Sequence, residues 1–281
     1  MTRPTPPVAL TIAGSDPSGG AGLQADLKTF HQHGVYGAGV VTLLTVQNTR
    51  GVAAVHLLDP QFVADQFDAV VDDIPPQAVK IGALGNARAI AAVARCVARL
   101  ACPVVVDPVM ISKHGHPLLD PPAAAALAER LLPLATVVTP NRAEAARLAG
   151  VDPRELADRR SLPAVAQLLA ALGPRCVLLK GGVEGGEAAD LWWSADGAAP
   201  AAGGAADGAP RAAWLVEPAV ATPHVHGAGC VLAAALTARL AGGATPAAAA
   251  RGAKRFVTDA LRAAPGLGRG IGPLGMHVPC R

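Results

Sequence analysis

Aromatic residues, long apolar runs and charge of one sign are all scarce in this 281-residue sequence. Phe, Trp and Tyr together make up only 3% of the residues, and the net charge is only +3. Proteins that bind single-stranded nucleic acid combine stacking rings with a basic surface, so this class is disfavoured. No apolar run reaches the roughly 18 residues that a membrane-spanning helix needs. We therefore expect a cytoplasmic chain that binds neither nucleic acid nor membrane.

Cysteine is also sparse, and its pattern indicates the redox compartment. The sequence has five cysteines and no CxxC pair. An odd, dispersed set indicates reduced thiols rather than a disulfide framework, which agrees with a cytoplasmic location. Residues 1–7 are rich in proline and lack the apolar core of a signal peptide, so they are predicted to form a disordered tail.

Short apolar segments alternate with helical patterns along the chain. Strands are predicted at residues 8–13, 40–46, 52–58, 79–82, 103–106, 136–139 and 176–179, with a β-hairpin of 191–194 and 214–217. Helices are predicted at residues 23–33, 60–72, 87–100, 121–132, 141–149, 162–172, 229–240 and 245–263. This alternation predicts one α/β domain over residues 8–281, with helices on both faces of a mostly parallel sheet. Residues 195–213 are predicted to form a flexible loop because they are almost entirely Ala, Gly and Pro.

Polar and glycine-rich segments follow most of the predicted strands. Ligands of open parallel sheets bind beyond the carboxyl ends of the strands, so these segments are expected to surround one site. They are Gly14-Ser15-Asp16, Gln47-Asn48, Lys80-Ile81-Gly82, Asp107-Pro108, Thr139-Pro140-Asn141 and Lys180-Gly181-Gly182.

Several common site motifs are absent or incomplete. Residues 20–25 match the loose dinucleotide pattern GxGxxG/A, but the next predicted strand ends at Gln47-Asn48 without the acid that would hold a ribose. A nicotinamide-dependent dehydrogenase is therefore disfavoured. The sequence has neither a Walker A loop nor GxSxG, which argues against a P-loop enzyme and a serine hydrolase. Three HxH pairs lack a third ligand at zinc spacing.

Residues 226–230, His-Gly-Ala-Gly-Cys, precede a predicted helix and are the most informative segment. Backbone N–H groups at Gly227, Ala228 and Gly229, together with the helix dipole, could bind a transferring phosphoryl group. The dipole would lower the pKa of Cys230, whose thiolate could accept a hydroxyl proton. A glycine-capped helix with a buried cysteine is equally compatible. Asn141 and Glu144 could likewise hold Mg²⁺ through water or cap a helix.

Taken in order, seven segments resemble the hydroxymethylpyrimidine/phosphomethylpyrimidine kinases of thiamine biosynthesis, within the ribokinase-like superfamily. The resemblance covers residues 8–273, and its first segment is highly specific. The segments are TIAGSDPSGGAGLQADLKTF (11–30), VQNTRGV (46–52), KIGALG (80–85), DPVM (107–110), VTPNRAEA (138–145), LLKGG (178–182) and HGAGC (226–230).

The resemblance implies a three-layer αβα fold, a homodimer, and phosphorylation of a small pyrimidine by ATP with Mg²⁺. It implies that Cys230 is the catalytic base and that Gly227, Ala228 and Gly229 form the anion hole. The substrate-binding positions that it implies are Gln47, Asp26, Gly14, Ala83 and Val109. Asn141, Lys180 and Gly182 would bind the nucleotide, and Glu144 with Asn141 would hold the metal through water.

The sequence also departs from the pattern of this family. Val225 and Ala228 replace two threonines of the usual Thr-His-Gly-Thr-Gly-Cys, and Ala83 replaces a methionine that packs on the pyrimidine. Two alternatives therefore stay open. One is a pyridoxal kinase on the same scaffold, although residues 111–118 contain no cysteine of the kind that such relatives often carry. The other is a non-catalytic protein that binds a pyrimidine or a nucleotide.

Overall fold

The computed structural model describes residues 5–112, 115–120, 122–196 and 212–280. Within these ranges the strands are β1 Val8–Ser15, β2 Tyr36–Asn48, β3 Gly51–Leu57, β4 Ala78–Ile81, β5 Val104–Val106, β6 Val137–Val138, β7 Cys176–Glu184, β8 Glu187–Ser194 and β9 Ala212–Pro218. The α-helices are α1 Gly22–Gln32, α2 Pro60–Val71, α3 Ala87–Val97, α4 Ala123–Ala126, α5 Arg142–Ala149, α6 Leu162–Ala170, α7 Ala228–Ala241 and α8 Pro246–Arg262. None of these helices combines the length and the apolar character that crossing a membrane requires.

All nine strands belong to one sheet, in the order β3-β2-β1-β4-β5-β6-β7-β8-β9. The pairs from β2 through β1, β4, β5 and β6 to β7 are parallel. The edge pairs β2–β3, β7–β8 and β8–β9 are antiparallel. The prediction of a mostly parallel sheet is therefore confirmed, and so is the hairpin, in which Leu191 pairs with Trp214.

Two apolar clusters cover the two faces of the sheet and make three layers. One cluster packs α2, α3, α4, α5 and α6 against side chains such as Ile12 and Val106. The other packs α1, α7 and α8 against side chains such as Val105 and Leu178. Adjacent residues Val105 and Val106 thus belong to opposite faces, which is why the central strands are apolar without alternation.

The helix starts follow local sequence signals. Asp59 caps α2 by accepting a hydrogen bond from the Gln61 N–H, and Pro60 occupies the first helical position, where its missing N–H costs nothing. Asn86 caps α3 through the Ala89 N–H in the same way. The cap at Asn86 fixes where α3 begins after β4, whereas Asp59 follows β3, which runs antiparallel to β2.

Several predicted boundaries differ from the structure, and three of the differences have a local cause. The helix predicted over residues 121–132 is α4 followed by a π-helical turn and a 3-10 turn, Leu132–Leu134, because Pro133 has no N–H to continue an α-helix. Strand β7 extends to Glu184 because Gly185 and Gly186 form a tight turn into β8. The predicted tail is shorter at its end, since the Pro7 carbonyl accepts a hydrogen bond from the Tyr36 N–H.

Two predictions concern residues without a structural description. Residues 1–4 of the predicted tail lie outside the described ranges, and so do residues 197–211 of the predicted loop 195–213. Ala212 and Ala213, which were included in that loop, instead begin β9 because they pair with Trp193 and Trp192.

Candidate active site

The turn before α7 faces the carboxyl end of the parallel sheet. Gly227 is the N-cap of α7, with φ of 82°, and its carbonyl accepts the Val231 N–H at 2.9 Å. A Cβ at Gly227 would collide with the carbonyl of Gly20, so the turn requires glycine for both its backbone angle and this approach. The expected backbone turn at the start of a helix is therefore present, with no side chain capping it.

Lys180, in the middle of β7 and beyond the residues that pair with β6, points its ammonium group at this turn. A Cβ added to Gly229 would lie 3.3 Å from Lys180 Nζ and 3.7 Å from Asp107 Oδ2. Lys180 Nζ lies 3.0 Å from Asp107 Oδ1 and 3.9 Å from Glu144 Oε2. Burial alone would lower the pKa of Lys180, but the two carboxylates outweigh it and raise the pKa. The amine therefore stays cationic beside the helix N-terminus, where an anion would bind.

Asn141 and Glu144 form a capping box at the start of α5. The Glu144 N–H donates to Asn141 Oδ1 at 2.9 Å, and the Asn141 N–H donates to Glu144 Oε2 at 2.8 Å. Burial raises the pKa of Glu144, and the nearby Lys180 opposes that shift. The capping interpretation is thus correct for both residues, and it fixes their oxygen atoms next to Lys180. No group of three or more potential metal-ligating His, Cys, Asp or Glu side chains occurs in the described part of the chain.

A second lysine, Lys80, is completely buried near the same edge of the sheet. Lys80 Nζ lies 2.8 Å from Asp26 Oδ2, and both side chains are completely buried. The Thr11 hydroxyl donates to the same carboxylate oxygen at 2.6 Å. Asp26 was expected to contact substrate, but the structure buries it in this ion pair and leaves it no accessible surface. Its carboxylate supports the site from below rather than lining it.

Cys230 lies in the first turn of α7 and is partly buried. Burial raises the pKa of its thiol to about 11, although the cation of Lys80 works in the opposite direction. The carboxylates of Asp26 and Asp107 add to the increase. The sequence predicted that the helix dipole would lower this pKa, and the structure reverses that direction because desolvation dominates.

Asp16 and His226 form a network with Gln47 that the sequence-based set of site residues did not include. Asp16 Oδ1 accepts hydrogen bonds from the Ser18 N–H and hydroxyl, and Oδ2 accepts from the Ala21 N–H. His226 Nε2 lies 2.9 Å from Asp16 Oδ2 and 3.2 Å from the side-chain amide of Gln47. The positions of Asp16 after β1 and of His226 before the glycine turn were visible in sequence, but 210 residues separate them.

The remaining predicted positions lie around the same edge, in different surroundings. Gly14 is buried, and a Cβ there would lie 2.5 Å from Leu43 Cδ1, so packing explains this glycine. The Ala83 carbonyl accepts the Thr42 hydroxyl at 2.6 Å. Val109 lies in the loop that follows β5, and Gly182 lies within β7, at the register shift between Lys180 and Val183.

A further ion pair supports the glycines after Lys180. Asp190 Oδ1 accepts the Gly181 N–H at 3.1 Å, and its Oδ2 lies 2.8 Å from Lys254 Nζ. This pair joins β8 and α8 to the backbone next to Lys180, and it is largely buried. The segment at 180–182 is therefore held by charges that sequence spacing did not indicate.

Comparison with known proteins places this arrangement in a family. The family model described as phosphomethylpyrimidine kinase matches residues 16–275. A hydroxymethylpyrimidine/phosphomethylpyrimidine kinase of Synechococcus elongatus is 48% identical over 97% of this chain and 98% of the relative. The relative of the same name from Streptomyces coelicolor is 45% identical over 98% of this chain and 97% of its own length.

Solved structures agree with these sequence matches. The pyridoxal kinase from Staphylococcus aureus in complex with ADP superposes with a TM-score of 0.85 at 32% identity, covering 97% of this chain and 94% of the other. The phosphomethylpyrimidine kinase from Clostridium difficile 630 gives 0.75 at 38% identity, covering 91% and 99%. These neighbours confirm the three-layer, ribokinase-like fold. The chain belongs to the phosphomethylpyrimidine kinase family.

Proposed function

We propose that this protein uses ATP to phosphorylate 4-amino-5-hydroxymethyl-2-methylpyrimidine and then its monophosphate, as a step of thiamine biosynthesis. The observation that carries the proposal is the position of Lys180, whose ammonium group lies against Gly229 at the N-terminus of α7. A cation and backbone donors aimed at one point match what phosphoryl transfer requires, namely positioning and charge stabilisation. The names of the full-length relatives supply the acceptor.

In this proposal the backbone of Gly227, Ala228 and Gly229 binds the transferring phosphoryl group, and Lys180 neutralises its charge. The Ala228 N–H donates to the Val225 carbonyl at 3.3 Å, so it would have to exchange that hydrogen bond for one to the phosphoryl group. Gln47, Gly14, Ala83 and Val109 would surround the acceptor, and Gly182 would contact the nucleotide with Asn141. Asp26 would act through Lys80 rather than by contact, since it is fully buried.

Mg²⁺ fits the residues that the family pattern assigns to it. The side chains of Asn141 and Glu144 offer oxygen ligands, which this ion prefers. Their mutual hydrogen bonds fix them beside Lys180. They would hold the ion through water, because Mg²⁺ keeps several of its waters. When bound, it would supply positive charge to the phosphate groups of ATP.

Cys230 takes the hydroxyl proton in the first transfer. A thiol with its pKa raised to about 11 keeps its proton at neutral pH, so the thiolate is a minor species that becomes more abundant as the pH rises. Phosphoryl transfer through a loose transition state needs little early help from a base, so this requirement is mild. The second transfer needs no base, because its nucleophile is already a phosphate oxygen.

Pyridoxal kinase activity is the second candidate, and one observation favours it. Several of the matching solved structures are pyridoxal kinases, with TM-scores of 0.83 to 0.85. Their identities of 32% to 35% are lower than the 42% to 48% of the curated hydroxymethylpyrimidine/phosphomethylpyrimidine kinases. The pyrimidine acceptor is therefore the better supported of the two.

One assay with ATP, Mg²⁺ and three separate acceptors tests the proposal. Hydroxymethylpyrimidine and its monophosphate should each yield ADP and a product heavier by one phosphoryl group, whereas pyridoxal should react more slowly. Preference for pyridoxal would replace the pyrimidine assignment. Binding of any acceptor without ADP release would indicate a non-catalytic protein. The variant Lys180→Met provides a matched inactive control.

We also propose a cytoplasmic homodimer in which residues 8–281 act as one domain. Large apolar side chains are exposed near the β2–β3 edge: Leu44 at 46%, Val46 at 63%, Leu57 at 41% and Phe62 at 57%. Exposed large apolar side chains near one sheet edge are consistent with a protein interface there. The five cysteines are all free thiols, in keeping with a reducing compartment. Sedimentation of the full chain should give twice the monomer mass of 28.1 kDa.

A further inference from the structure

Both carboxylate oxygens of Asp16 accept hydrogen bonds, and the side chain lies between two loops of the site. It accepts hydrogen bonds from the Ser18 N–H, the Ser18 hydroxyl and the Ala21 N–H, and it faces His226 Nε2 at 2.9 Å. Burial alone would raise the pKa of Asp16, but the hydrogen bonds from His226 and Ser18 outweigh it and lower the pKa. Asp16 is therefore ionised and can only accept hydrogen bonds.

This charge determines which nitrogen of His226 carries a proton. Because Asp16 accepts only, Nε2 must be the N–H that faces it, whether the imidazole is neutral or cationic. In the structure the amide Nε2 of Gln47 lies 3.2 Å from the same His226 Nε2, and exchanging the amide nitrogen and oxygen gives the alternative orientation. An amide NH₂ group cannot form a hydrogen bond with a second N–H donor, whereas the amide oxygen can share the proton. Hydrogen bonding therefore favours Gln47 with Oε1 towards His226 and its NH₂ group turned away.

We propose that Asp16 and His226 are positioning residues that fix the amide of Gln47 so that its NH₂ group faces the acceptor ring. The inference rests on the proposed function, in which Gln47 contacts the acceptor. It deepens that function by stating which end of the Gln47 amide faces the acceptor. The site then selects heteroaromatic rings that present a bare nitrogen lone pair, and it rejects rings whose nitrogen at that position carries a hydrogen.

The side chain of His226 can act on Gln47 without moving the phosphate-binding turn. The backbone N–H of His226 donates to the Gly272 carbonyl at 3.0 Å, and residues 226 and 273 form a parallel bridge. The next residue, Gly227, is fixed by its own close approach to Gly20. Since backbone contacts hold the turn, a change of the imidazole should affect acceptor binding more than ATP binding.

Variants of His226 and Gln47 test this relay through binding measurements on the full-length protein. Calorimetry would give the Kd of hydroxymethylpyrimidine without ATP and, separately, the Kd of ATP–Mg²⁺. His226→Met should raise the acceptor Kd about fivefold and Gln47→Ala about tenfold, as expected for the loss of one hydrogen bond. The double variant should match Gln47→Ala within about twofold, because both changes remove the same interaction. Multiplying effects, or an equal loss of ATP affinity, would overturn the proposal.

His226→Gln is the conservative variant. Its NH₂ group can donate one hydrogen to Asp16 and the other to Gln47 Oε1, so the acceptor Kd should stay within about twofold of the wild type. Weakening as large as that of His226→Met would show that the shape of the ring matters rather than its proton, and would overturn the relay.

A spectroscopic measurement tests the proton position without relying on altered binding. Nitrogen-15 NMR of the wild-type chain with labelled histidine distinguishes a protonated ring nitrogen from a bare one, and the signal lost in His226→Gln identifies His226. Nε2 should be protonated, and a bare Nε2 would overturn the proposal. If the wild type turned over no acceptor at all, the proposed function would fail instead, while this measurement would still report on the Asp16–His226 pair.

Discussion

Two lysines of the sheet are each paired with an aspartate from outside their own strand. Lys80 of β4 pairs with Asp26 of α1 at 2.8 Å, and both side chains are completely buried. Lys180 of β7 pairs with Asp107 at 3.0 Å, and its side chain keeps 19% of its surface exposed. The two pairs have similar geometry, so access is what distinguishes them.

The difference in solvent exposure gives the two lysines different roles. Lys80 has no surface through which to meet a ligand, so its charge only balances Asp26 and biases the Cys230 thiol. Lys180 lies beside Gly229 and has room to exchange part of its interaction with Asp107 for one with a phosphate. Charge on a strand therefore indicates function only together with exposure, which sequence does not give.

Loss of the exposed lysine should have the largest effect on activity. Lys180→Met removes the cation beside the turn, and we expect kcat/KM for either acceptor to fall about 10³-fold, or about 4 kcal/mol. Steady-state ADP release measures this change, and Lys180→Arg, which keeps the charge, should recover part of it. A loss smaller than tenfold in Lys180→Met would show that Lys180 has no major role in catalysis.

Loss of the buried lysine should instead reduce stability. Lys80→Met leaves the Asp26 carboxylate without its cation in the interior, and we expect the free energy of unfolding to fall by about 3 kcal/mol. The Thr11 hydroxyl still donates to Asp26, which keeps the loss at the lower end of the usual range. Denaturant unfolding measures it. Lys80→Met with Asp26→Asn should regain most of the stability, because the second change removes the unpaired charge. Unchanged stability in Lys80→Met would contradict this account.

The sequence predicted the location of the site better than the partners within it. Strand-end segments containing Lys80, Asp107, Asn141 and Lys180 all lie at one edge of the sheet, because parallel strands bring their carboxyl ends together. The family resemblance identified the turn at residues 226–230 as the phosphate-binding segment. Both inferences depend on local patterns and on the order of elements along the chain.

Side-chain pairing was not predictable in the same way. Central strands are apolar on both faces, so periodicity could not show that Lys80 points towards α1 and Asp26. Asp16 and His226 lie 210 residues apart, and only the folded chain shows that they meet. The direction of the Cys230 pKa was mispredicted for a related reason, since the helix dipole is visible in sequence but the extent of desolvation is not.

The pH dependence of the first transfer tests whether Cys230 is the base and whether the buried Lys80 affects the ionisation of its thiol. With the pKa raised to about 11, the thiolate fraction grows tenfold per pH unit below that value, so kcat/KM for the first transfer should rise with pH between 7 and 9. Cys230→Ala should be about 10²-fold slower for this transfer and lose that rise, while the second transfer changes little. Lys80→Met should shift the rise to higher pH, because the cation that favours the thiolate is gone.

Rate measurements for both acceptors across this pH range give the outcome. An equal loss in both transfers for Cys230→Ala, or a pH rise that persists without the thiol, would show that Cys230 is not the base. Lys80 would then have a structural role only, and the contrast between the two lysines would become sharper.

The smallest expected effect concerns the residue just before the turn. Val225 departs from the resembled family pattern, which has threonine at this position, and its carbonyl accepts the Ala228 N–H at 3.3 Å. Val225→Thr should add one hydroxyl donor near the transferring group and raise kcat about fivefold, the value of a single modest hydrogen bond. Val225→Ser is the matched control, since it offers the hydroxyl without the methyl group. If neither variant gains rate, Lys180 and the backbone of the turn already provide the charge stabilisation that the hydroxyl would add.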